Sequence, residues 1–223
     1  KPAYQQERGP SQTLKDDNLR RDKIDAFVQE FTSGDRYIGE YLVNEVLRNV
    51  PKDVQTFLSL TSILDRFCDS LCDEIVRYSC MEVGKETQDS DSLYPKINSH
   101  QILDYLERTN TFIIPVDDRY GWYRYHRLFG DLLRQRLIQT TGRGRIKALH
   151  HQASLWFECN GYMEEAVTHS LAAEEFERAA DFLQQRVLTS GFCQREIARV
   201  INWLGKIPEN LILDRPALCI ADA

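Results

Sequence analysis

The sequence lacks the features that mark a membrane protein or a secreted one. No run of about 18 apolar residues occurs in its 223 residues, so no membrane-spanning helix is predicted. The polar opening from Lys1 to Asp25 has no apolar core of the kind that a signal peptide needs. We therefore expect a cytoplasmic protein without a membrane partner.

Cysteine is scarce as well. The six cysteines form no Cys-x-x-Cys pair, and most of them lie in helical or apolar contexts. Cys68, Cys72 and Cys80 could be combined with His100 into a metal site. However, Cys68 and Cys72 lie four residues apart on one helical stripe, where core thiols are the usual finding. We expect reduced core thiols and no metal site.

Motifs for catalysis are also missing. The loop Gly-x-x-x-x-Gly-Lys-Ser/Thr cradles nucleotide phosphates with backbone N–H groups, and this sequence does not contain it. The histidines at 150, 151 and 169 lie outside any His-Glu-x-x-His motif, and there is no Gly-x-Ser-x-Gly nucleophile elbow. The sequence predicts no catalytic residue and no cofactor bound by this chain alone.

The composition that remains is that of a globular protein with unevenly distributed charge. Apolar residues make up 42% of the chain, charged residues make up 28%, and the formal net charge is −6. This negative total argues against a surface that binds nucleic acid throughout. Residues 119–147, however, hold eight basic residues and one acidic residue. Either a solvated helix face or a local anion site would explain this basic segment.

The beginning of the chain is predicted to be a tail followed by a linker. Residues 1–20 are polar without an apolar period, and residues 21–48 carry helical signals. A polar segment rich in serine and aspartate predicts a surface loop at 84–98. Because the chain starts without Met and stops in an apolar segment, we expect a piece of a longer protein.

Residues 49–140 are predicted to form a winged-helix-like domain. Pro51 opens one helix, a second begins near Asp69 and ends near Ser79, and Ser99 caps a third. These three helices precede a segment with a different period.

A β-hairpin is predicted after the third helix. Residues 111–116 are a β-type run, a turn follows, and residues 122–126 alternate with a period of two. Pro115 restricts the first strand to a sheet edge or a bulge. An apolar stripe from Leu128 to Leu137 then predicts the helix that closes the unit.

Residues 141–223 are predicted to be the start of an array of antiparallel helical hairpins. Phe157, Gly161, Ala166 and Ala173 fall at the aromatic, glycine and alanine positions of the tetratricopeptide (TPR) pattern. The predicted core-facing residues of the fourth helix are Ile197, Val200, Ile201 and Leu204. Such hairpins stack, so we expect a further repeat against the last one. The expected fold class is mainly α: a winged-helix-like domain with one β-hairpin, followed by TPR-like repeats.

Three residues of the basic segment are candidates for an anion contact. If the second strand extends to His126, then Trp122, Arg124 and His126 point to the same face. Arg124 and His126 would converge as hydrogen-bond donors, with Arg127 close by, and such a set suits a phosphate. The alternative is that His126 merely caps the following helix.

Several short blocks between Phe27 and Ala223 together point to a family. They are Gly34-Asp-Arg-Tyr-Ile38, Tyr41-Leu-Val-Asn-Glu-Val-Leu47, Thr61-Ser-Ile-Leu-Asp65, Leu71-Cys-Asp73, Trp122-Tyr-Arg-Tyr-His-Arg-Leu-Phe129, Trp156-Phe-Glu-Cys-Asn-Gly161 and Glu165-Ala-Val-Thr-His169. In these blocks the chain resembles the central region of MalT-like, LuxR-family transcription regulators, which are large signal-transduction ATPases of the STAND class. The Trp-Tyr-Arg-Tyr-His block is the most specific of them.

The resemblance implies a place in a larger switch. In that family a P-loop ATPase domain precedes the winged helix domain, and a superhelix of repeats that receives the inducer precedes a helix-turn-helix DNA-binding domain. The resemblance implies that His126 lies where the winged-helix histidine approaches the β-phosphate of ADP and holds the resting state. For the full-length parent it also implies ADP or ATP with Mg²⁺, an upstream P-loop partner domain, a small-molecule or protein inducer, and DNA bound by a further C-terminal domain.

Three functions stay open at this stage. The first is a regulatory fragment whose winged helix contributes to the ADP-bound state and whose repeats receive an inducer or partner. The second is direct DNA binding by the winged helix through the basic segment. The third is a helical-repeat scaffold for protein partners. None of them makes this chain an enzyme by itself, although the parent is expected to be an ATPase switch.

Overall fold

The structure is a computed structural model that describes residues 47–86, 98–109, 112–117, 121–189, 197–216 and 218. The predicted tail at 1–20 lies outside the described residues. So do nearly all of the predicted helical linker at 21–48 and most of the predicted loop at 84–98.

In the described part of the chain, helices surround one β-hairpin. In chain order the elements are α1 (Lys52–Thr61), α2 (Asp69–Glu86), α3 (Ser99–Arg108), β1 (Ile113–Asp117), β2 (Trp122–Tyr125), α4 (Arg127–Thr140), α5 (Arg143–Cys159), α6 (Met163–Ala172), α7 (Phe176–Thr189), α8 (Ile197–Leu204) and α9 (Glu209–Leu213). The mainly helical fold class with one two-stranded antiparallel sheet is confirmed.

The first six elements form the predicted winged helix. Helix α1 packs against α2 and α4, while α3 packs against α2 and β1. Phe67 forms an isolated antiparallel β-bridge to β2, because its backbone exchanges two hydrogen bonds of 2.8 Å with Tyr123. Sequence patterns could not predict this bridge, since a single paired residue has no period.

The hairpin has the irregularity that its proline requires. Ile114 pairs with Arg124 and Pro115 pairs with Tyr123, but the register shifts between Pro115 and Asp117. A proline cannot donate a ladder hydrogen bond, so a bulge at this point is expected. The predicted edge or bulge at Pro115 is confirmed.

Two predicted helix ends were wrong: α2 extends seven residues beyond its predicted end near Ser79, and the cap of α3 lies one residue before Ser99. Helix α2 continues to Glu86, so residues 84–86 are helical and do not belong to the predicted loop. The cap of α3 is Asn98, whose side chain accepts a hydrogen bond from the Gln101 backbone N–H at 3.1 Å. Ser99 lies one residue inside the helix. Both residue types are good caps, and tertiary packing decides between neighbours.

The remaining helices pack side by side. Helix α5 packs against α2 and α6, and α6 packs against α7. The short link between α5 and α6 turns at Gly161, whose φ of +80° is accessible to glycine at little cost. The Ser154 hydroxyl closes the contact between these two helices, since it donates to the Ala166 carbonyl at 2.9 Å. The likeness to TPR repeats stays a prediction.

Helix α8 faces its neighbours differently from the prediction. Val200, Trp203 and Leu204 are buried, whereas Ile197 and Ile201 are 44% and 52% exposed. The prediction that Ile197 and Ile201 face the core is therefore wrong, as far as the described part of the chain shows. Both apolar stripes have helical spacing, so the sequence pattern alone could not select the one that faces the core.

The thiols are mostly internal. Cys68 and Cys72 are buried, Cys80 is partly buried and Cys159 is exposed, and all four are free. Burial raises the pKa of Cys72 well above its ordinary value, and the neighbouring Cys68 adds to this effect. Over the residues that the structure describes, no helix combines the length and apolar character needed to cross a membrane.

Candidate functional site

The three predicted anion-contact residues lie where β2 passes into α4. Arg124 is exposed on β2 opposite Ile114, and Arg127 is exposed at the first position of α4. His126 lies between strand and helix and is partly buried. We call Arg124, His126, Arg127 and the first turn of α4 the β2–α4 corner.

His126 is placed by the start of α4 and not by strand alternation. Strand β2 ends at Tyr125, so the condition that the strand reaches His126 is not met. His126 occupies the position before the helix, with φ −55° and ψ 133°. Its N–H donates to the Phe112 carbonyl at 2.8 Å, and its carbonyl accepts from Gly130 N–H at 2.9 Å. Both backbone groups are thus fixed, while the imidazole is not part of this scaffold.

The side chain of His126 makes no capping hydrogen bond to α4. The first turn of α4 also contains no acidic residue. The first N–H groups of a helix have no partner within the helix, and the aligned peptide dipoles give this end a partial positive charge. A helix start without a capping side chain, preceded in the chain by Arg124 and His126 and beginning with Arg127, is a setting that favours an anion.

Phe112 and Gly130 hold the corner in place. Phe112 has a φ of +62°, which is costly for a residue with a side chain, and it presents its carbonyl to His126. Its ring stacks on Phe129 in α4, with the ring centroids 4.1 Å apart. A methyl group added at Gly130 would lie 3.2 Å from the Tyr125 Cβ, so glycine lets α4 approach β2 closely.

Tyr125 anchors the end of β2 in the core. Its hydroxyl hydrogen-bonds the Thr61 hydroxyl at 2.6 Å, and its ring centroid lies 4.6 Å from that of Phe67. Burial raises the pKa of Tyr125 well above its ordinary value, and the nearby Cys72 adds to this shift. Tyr125 is therefore a neutral, packed side chain, and its role is to fix the residue that follows it.

Most other basic residues of the segment 119–147 have partners. Arg134 pairs with Asp65 and Asp131, Arg143 and Lys147 both pair with Glu174, and Arg145 donates to Ser79. Arg136 is not free either. By contrast, no hydrogen bond or ion pair joins the side chains of Arg124, His126 or Arg127 to another described residue. Among the described residues, the basic segment thus divides into a paired set and the three residues of the corner.

Helix α3 has the wrong charge for a DNA-reading helix. In helix-turn-helix proteins the second helix of the motif enters the major groove, and α3 takes that place here. It carries Asp104 and Glu107, and its Arg108 is paired with Asp104 at 3.0 Å. Glu107 accepts a hydrogen bond from Tyr123, and burial together with this bond raises the pKa of Tyr123 to about 12. An acidic helix face repels phosphates.

Sequence reasoning missed a histidine pair between α5 and α6. His150 on α5 and His169 on α6 share a hydrogen bond between their Nδ1 atoms, 2.8 Å apart. Burial, with a smaller effect of the nearby Arg134, lowers the pKa of His150 to about 4. Burial, followed by the effects of His150 and Arg134, lowers the pKa of His169 to about 3. Their spacing in sequence gives no signal, because two helices bring them together. In the described residues no group of three or more metal-ligating side chains forms.

Comparison with known proteins gives this geometry a family. The family model described as the MalT winged helix domain matches residues 43–145. The chain is 33% identical over 187 residues to the HTH-type transcriptional regulator MalT of Yersinia enterocolitica, covering 84% of this chain and 18% of that protein. The same figures hold for MalT of Yersinia pseudotuberculosis.

A second type of relative carries the same region. The chain is 29% identical over 186 residues to the serine/threonine-protein kinase PknK of Mycobacterium tuberculosis, covering 83% of this chain and 15% of that protein. The chain thus spans less than a fifth of the length of these relatives. Their shared segment includes α1 to α4 and the β2–α4 corner, and residues 43–145 of this chain belong to the family of MalT winged helix domains.

Proposed function

We propose that this chain is the regulatory middle part of a STAND-class, LuxR-family transcription regulator, and that its β2–α4 corner contacts a phosphate of bound ADP. A P-loop ATPase domain elsewhere in the same protein would hold the rest of the nucleotide and its Mg²⁺. The winged helix then stabilises the ADP-bound resting state, and the TPR-like pairs receive an inducer or partner. The whole protein acts in the cytoplasm and binds DNA through a separate helix-turn-helix domain.

The observation that supports this proposal most is the unpaired set at the corner. Arg124, His126 and Arg127 make no ion pair with described residues, although basic residues further along the same segment do. They lie immediately before and at the start of a helix that has neither a capping side chain nor an acidic first turn. A phosphate would supply the missing acceptor for these donors.

The chain's own residues would contribute charge and direction. The His126 backbone is fixed by two hydrogen bonds, so its imidazole is presented from a rigid position. Arg124 is exposed on β2 and Arg127 is exposed at the first position of α4, so both lie within two residues of His126 in the chain. Such donors stabilise whichever nucleotide state leaves a phosphate at the corner, and ligands shift a conformational equilibrium only by this difference in affinity.

The first test uses the chain itself and pyrophosphate as the probe. We expect the chain to bind pyrophosphate weakly. Isothermal titration calorimetry and the NMR signals of the histidine rings measure this binding. His126→Ala should weaken this binding roughly tenfold or more, because a charge-assisted hydrogen bond contributes about 1.5–3 kcal/mol. His100→Ala is the matched control, since its side chain is 80% exposed on α3. Equal affinities of the two variants would contradict the proposal.

The second test uses a longer protein that contains this chain and a P-loop domain. His126→Ala there should loosen ADP and raise basal transcription, because the resting state loses a phosphate contact. Unchanged ADP affinity together with unchanged basal output would overturn the proposal. Mixing this chain with a separate P-loop domain, with and without ADP, distinguishes a nucleotide-dependent partner from a plain helical-repeat scaffold, which would bind regardless of ADP.

Direct DNA binding is the competing function, and the charge of α3 opposes it. It predicts that the chain binds a DNA duplex with an affinity that falls steeply with salt, because bound phosphates release counterions. We expect no duplex binding at low salt from a fluorescence anisotropy titration. Tight binding that Arg124→Ala and Arg127→Ala abolish would favour this function over the phosphate contact.

A further inference from the structure

Arg66 joins the winged helix to the helical pairs that follow it. It lies in the loop of residues 62–68 between α1 and α2. Its Nε donates to the Glu165 carboxylate on α6 at 2.8 Å, and its Nη2 donates to the same oxygen. Its guanidinium carbon also lies 4.6 Å from the ring centroid of Trp122 and 5.1 Å from that of Tyr162. One side chain therefore contacts β2, the α5–α6 link and α6.

The backbone next to Arg66 is hydrogen-bonded to β2. The next residue, Phe67, exchanges two backbone hydrogen bonds with Tyr123. On the other side of the loop, the Nε of Arg134 donates to the Ser62 carbonyl at 3.2 Å. The loop is thus held at both ends, and a displacement of the Arg66 side chain reaches β2 directly.

Trp122 on β2 also packs directly against the first helical pair. It is only 6% exposed, and its ring lies against three aromatic rings of α5 and the α5–α6 link. The ring centroids are 5.2 Å from Tyr162, 6.1 Å from Trp156 and 6.5 Å from Phe157. Trp122 precedes Arg124 by two positions in the same strand, about 7 Å along it.

We propose that Arg66 is a positioning residue for the β2–α4 corner. By tying α6 to Trp122, it makes the direction of Arg124 and His126 depend on where the first helical pair lies. The role assigned to the corner rests on the proposed function, but the positioning itself does not. A movement of α6 that breaks the contact of Arg66 with Glu165 changes the packing of Arg66 on Trp122 and so shifts β2 relative to α6, and packed networks of this kind transmit coupling between sites.

The chain contains a matched control for this arrangement. Arg178 on α7 donates to Glu158 on α5, and its guanidinium carbon lies 5.3 Å from the ring centroid of Phe182. The ion pair and the cation–π contact are thus of the same kind, but they lie wholly within the helical pairs. Loss of Arg178 tests what an arginine–aromatic contact does for these helices without a link to β2.

The experiment follows the ring signals of His126 and the side-chain Nε–H of Arg124 by NMR in the full chain without ligand. Arg66→Ala should shift both sets of signals, and Arg178→Ala should leave them unchanged. Arg66→Glu should shift them too, and adding Glu165→Arg should return them toward the wild-type positions, because the ion pair is restored with reversed charges. With pyrophosphate as the probe, Arg66→Ala should weaken binding roughly two- to thirtyfold.

Equal shifts in Arg66→Ala and Arg178→Ala, or no shift in Arg66→Ala, would overturn the positioning role. If the wild-type chain does not bind pyrophosphate, the proposed function fails, and the signals of His126 and Arg124 still decide the positioning role.

Circular dichroism checks that each variant folds. Should Arg66→Ala unfold, Arg66→Lys replaces it. Lysine keeps the charge but not the planar fork, so an intermediate shift supports the role and a wild-type spectrum opposes it.

Discussion

Lowering the pH from 7 to 5 should destabilise this protein through the pair of His150 and His169. Both histidines have pKa values below the ordinary 6.5, at about 4 and about 3. Below pH 6.5 the unfolded chain therefore binds more protons than the folded chain. The free energy of unfolding falls as the pH drops through 6.5, and the loss is complete only below the folded values.

The size of the effect follows from these values. Between pH 7 and pH 5 a histidine that stays neutral in the fold loses about 2 kcal/mol relative to the unfolded chain. His169 is buried and should contribute this amount. His150 is partly exposed, so we discount its contribution to about 1 kcal/mol, which gives a total of about 3 kcal/mol. Its neighbours Arg134 and Asp65 act in opposite directions on its pKa, the arginine lowering it and the aspartate raising it.

Urea unfolding at several pH values, followed by circular dichroism and tryptophan fluorescence, measures this loss. With a urea slope of about 3 kcal/mol/M, the midpoint should fall by about 1 M between pH 7 and pH 5. Carboxylates titrate lower, and the pKa of Glu174 is lowered further by hydrogen bonds from Lys147 and Arg143, so this window reports mainly the histidines.

His169→Asn tests the assignment, because the amide can replace Nδ1 in the hydrogen bond but cannot be protonated. This variant should lose more than half of the pH dependence, whatever its stability at pH 7. His100→Ala, at an exposed position on α3, should keep the full dependence. A pH dependence that is the same in both variants would refute the reasoning.

Three further changes test the packing around the corner. Tyr125→Phe should lower the free energy of unfolding by about 1 kcal/mol in urea titrations, because one buried hydrogen bond is lost. Gly130→Ala should shift the NMR signals of the corner, because the new methyl meets Tyr125 at 3.2 Å, whereas Gly144→Ala, with open space around it, should not. Phe157→Ala should cost about 3–5 kcal/mol, because it leaves a core cavity, whereas truncation of the 69% exposed Leu188 should change stability by less than about 0.5 kcal/mol.

Local patterns in the sequence were enough to predict the order of elements from α1 to α8, whereas the short helix α9 was not predicted. The period-two run predicted at 122–126 became β2, one residue shorter, and the helical stripes on both sides of it became flanking helices. Pro115 produced its bulge because a missing N–H is a property of the residue itself. Helix ends were less accurate, as Asn98 shows, because several neighbouring residues can cap equally well and packing chooses one.

The anion site at Arg124, His126 and Arg127 stays a prediction, and the structure gives a different reason for the placement of His126. Alternation along a strand does not aim His126, because the strand ends one residue earlier. The backbone of His126 is held by the start of α4 and by the carbonyl of Phe112, the residue directly before β1. No pattern near His126 encodes that contact, so only the folded chain reveals it.

The sequence by itself determined which residues can be buried, where the chain turns and where basic charge accumulates, because these are properties of single residues and their spacing. Only the tertiary structure decided which of those charges stay unpaired. Arg134, Arg143 and Lys147 meet carboxylates from distant parts of the chain, and Arg66 meets Glu165 across 99 positions. Ion pairs between separate helices depend on packing in three dimensions, and the sequence records no distance between them.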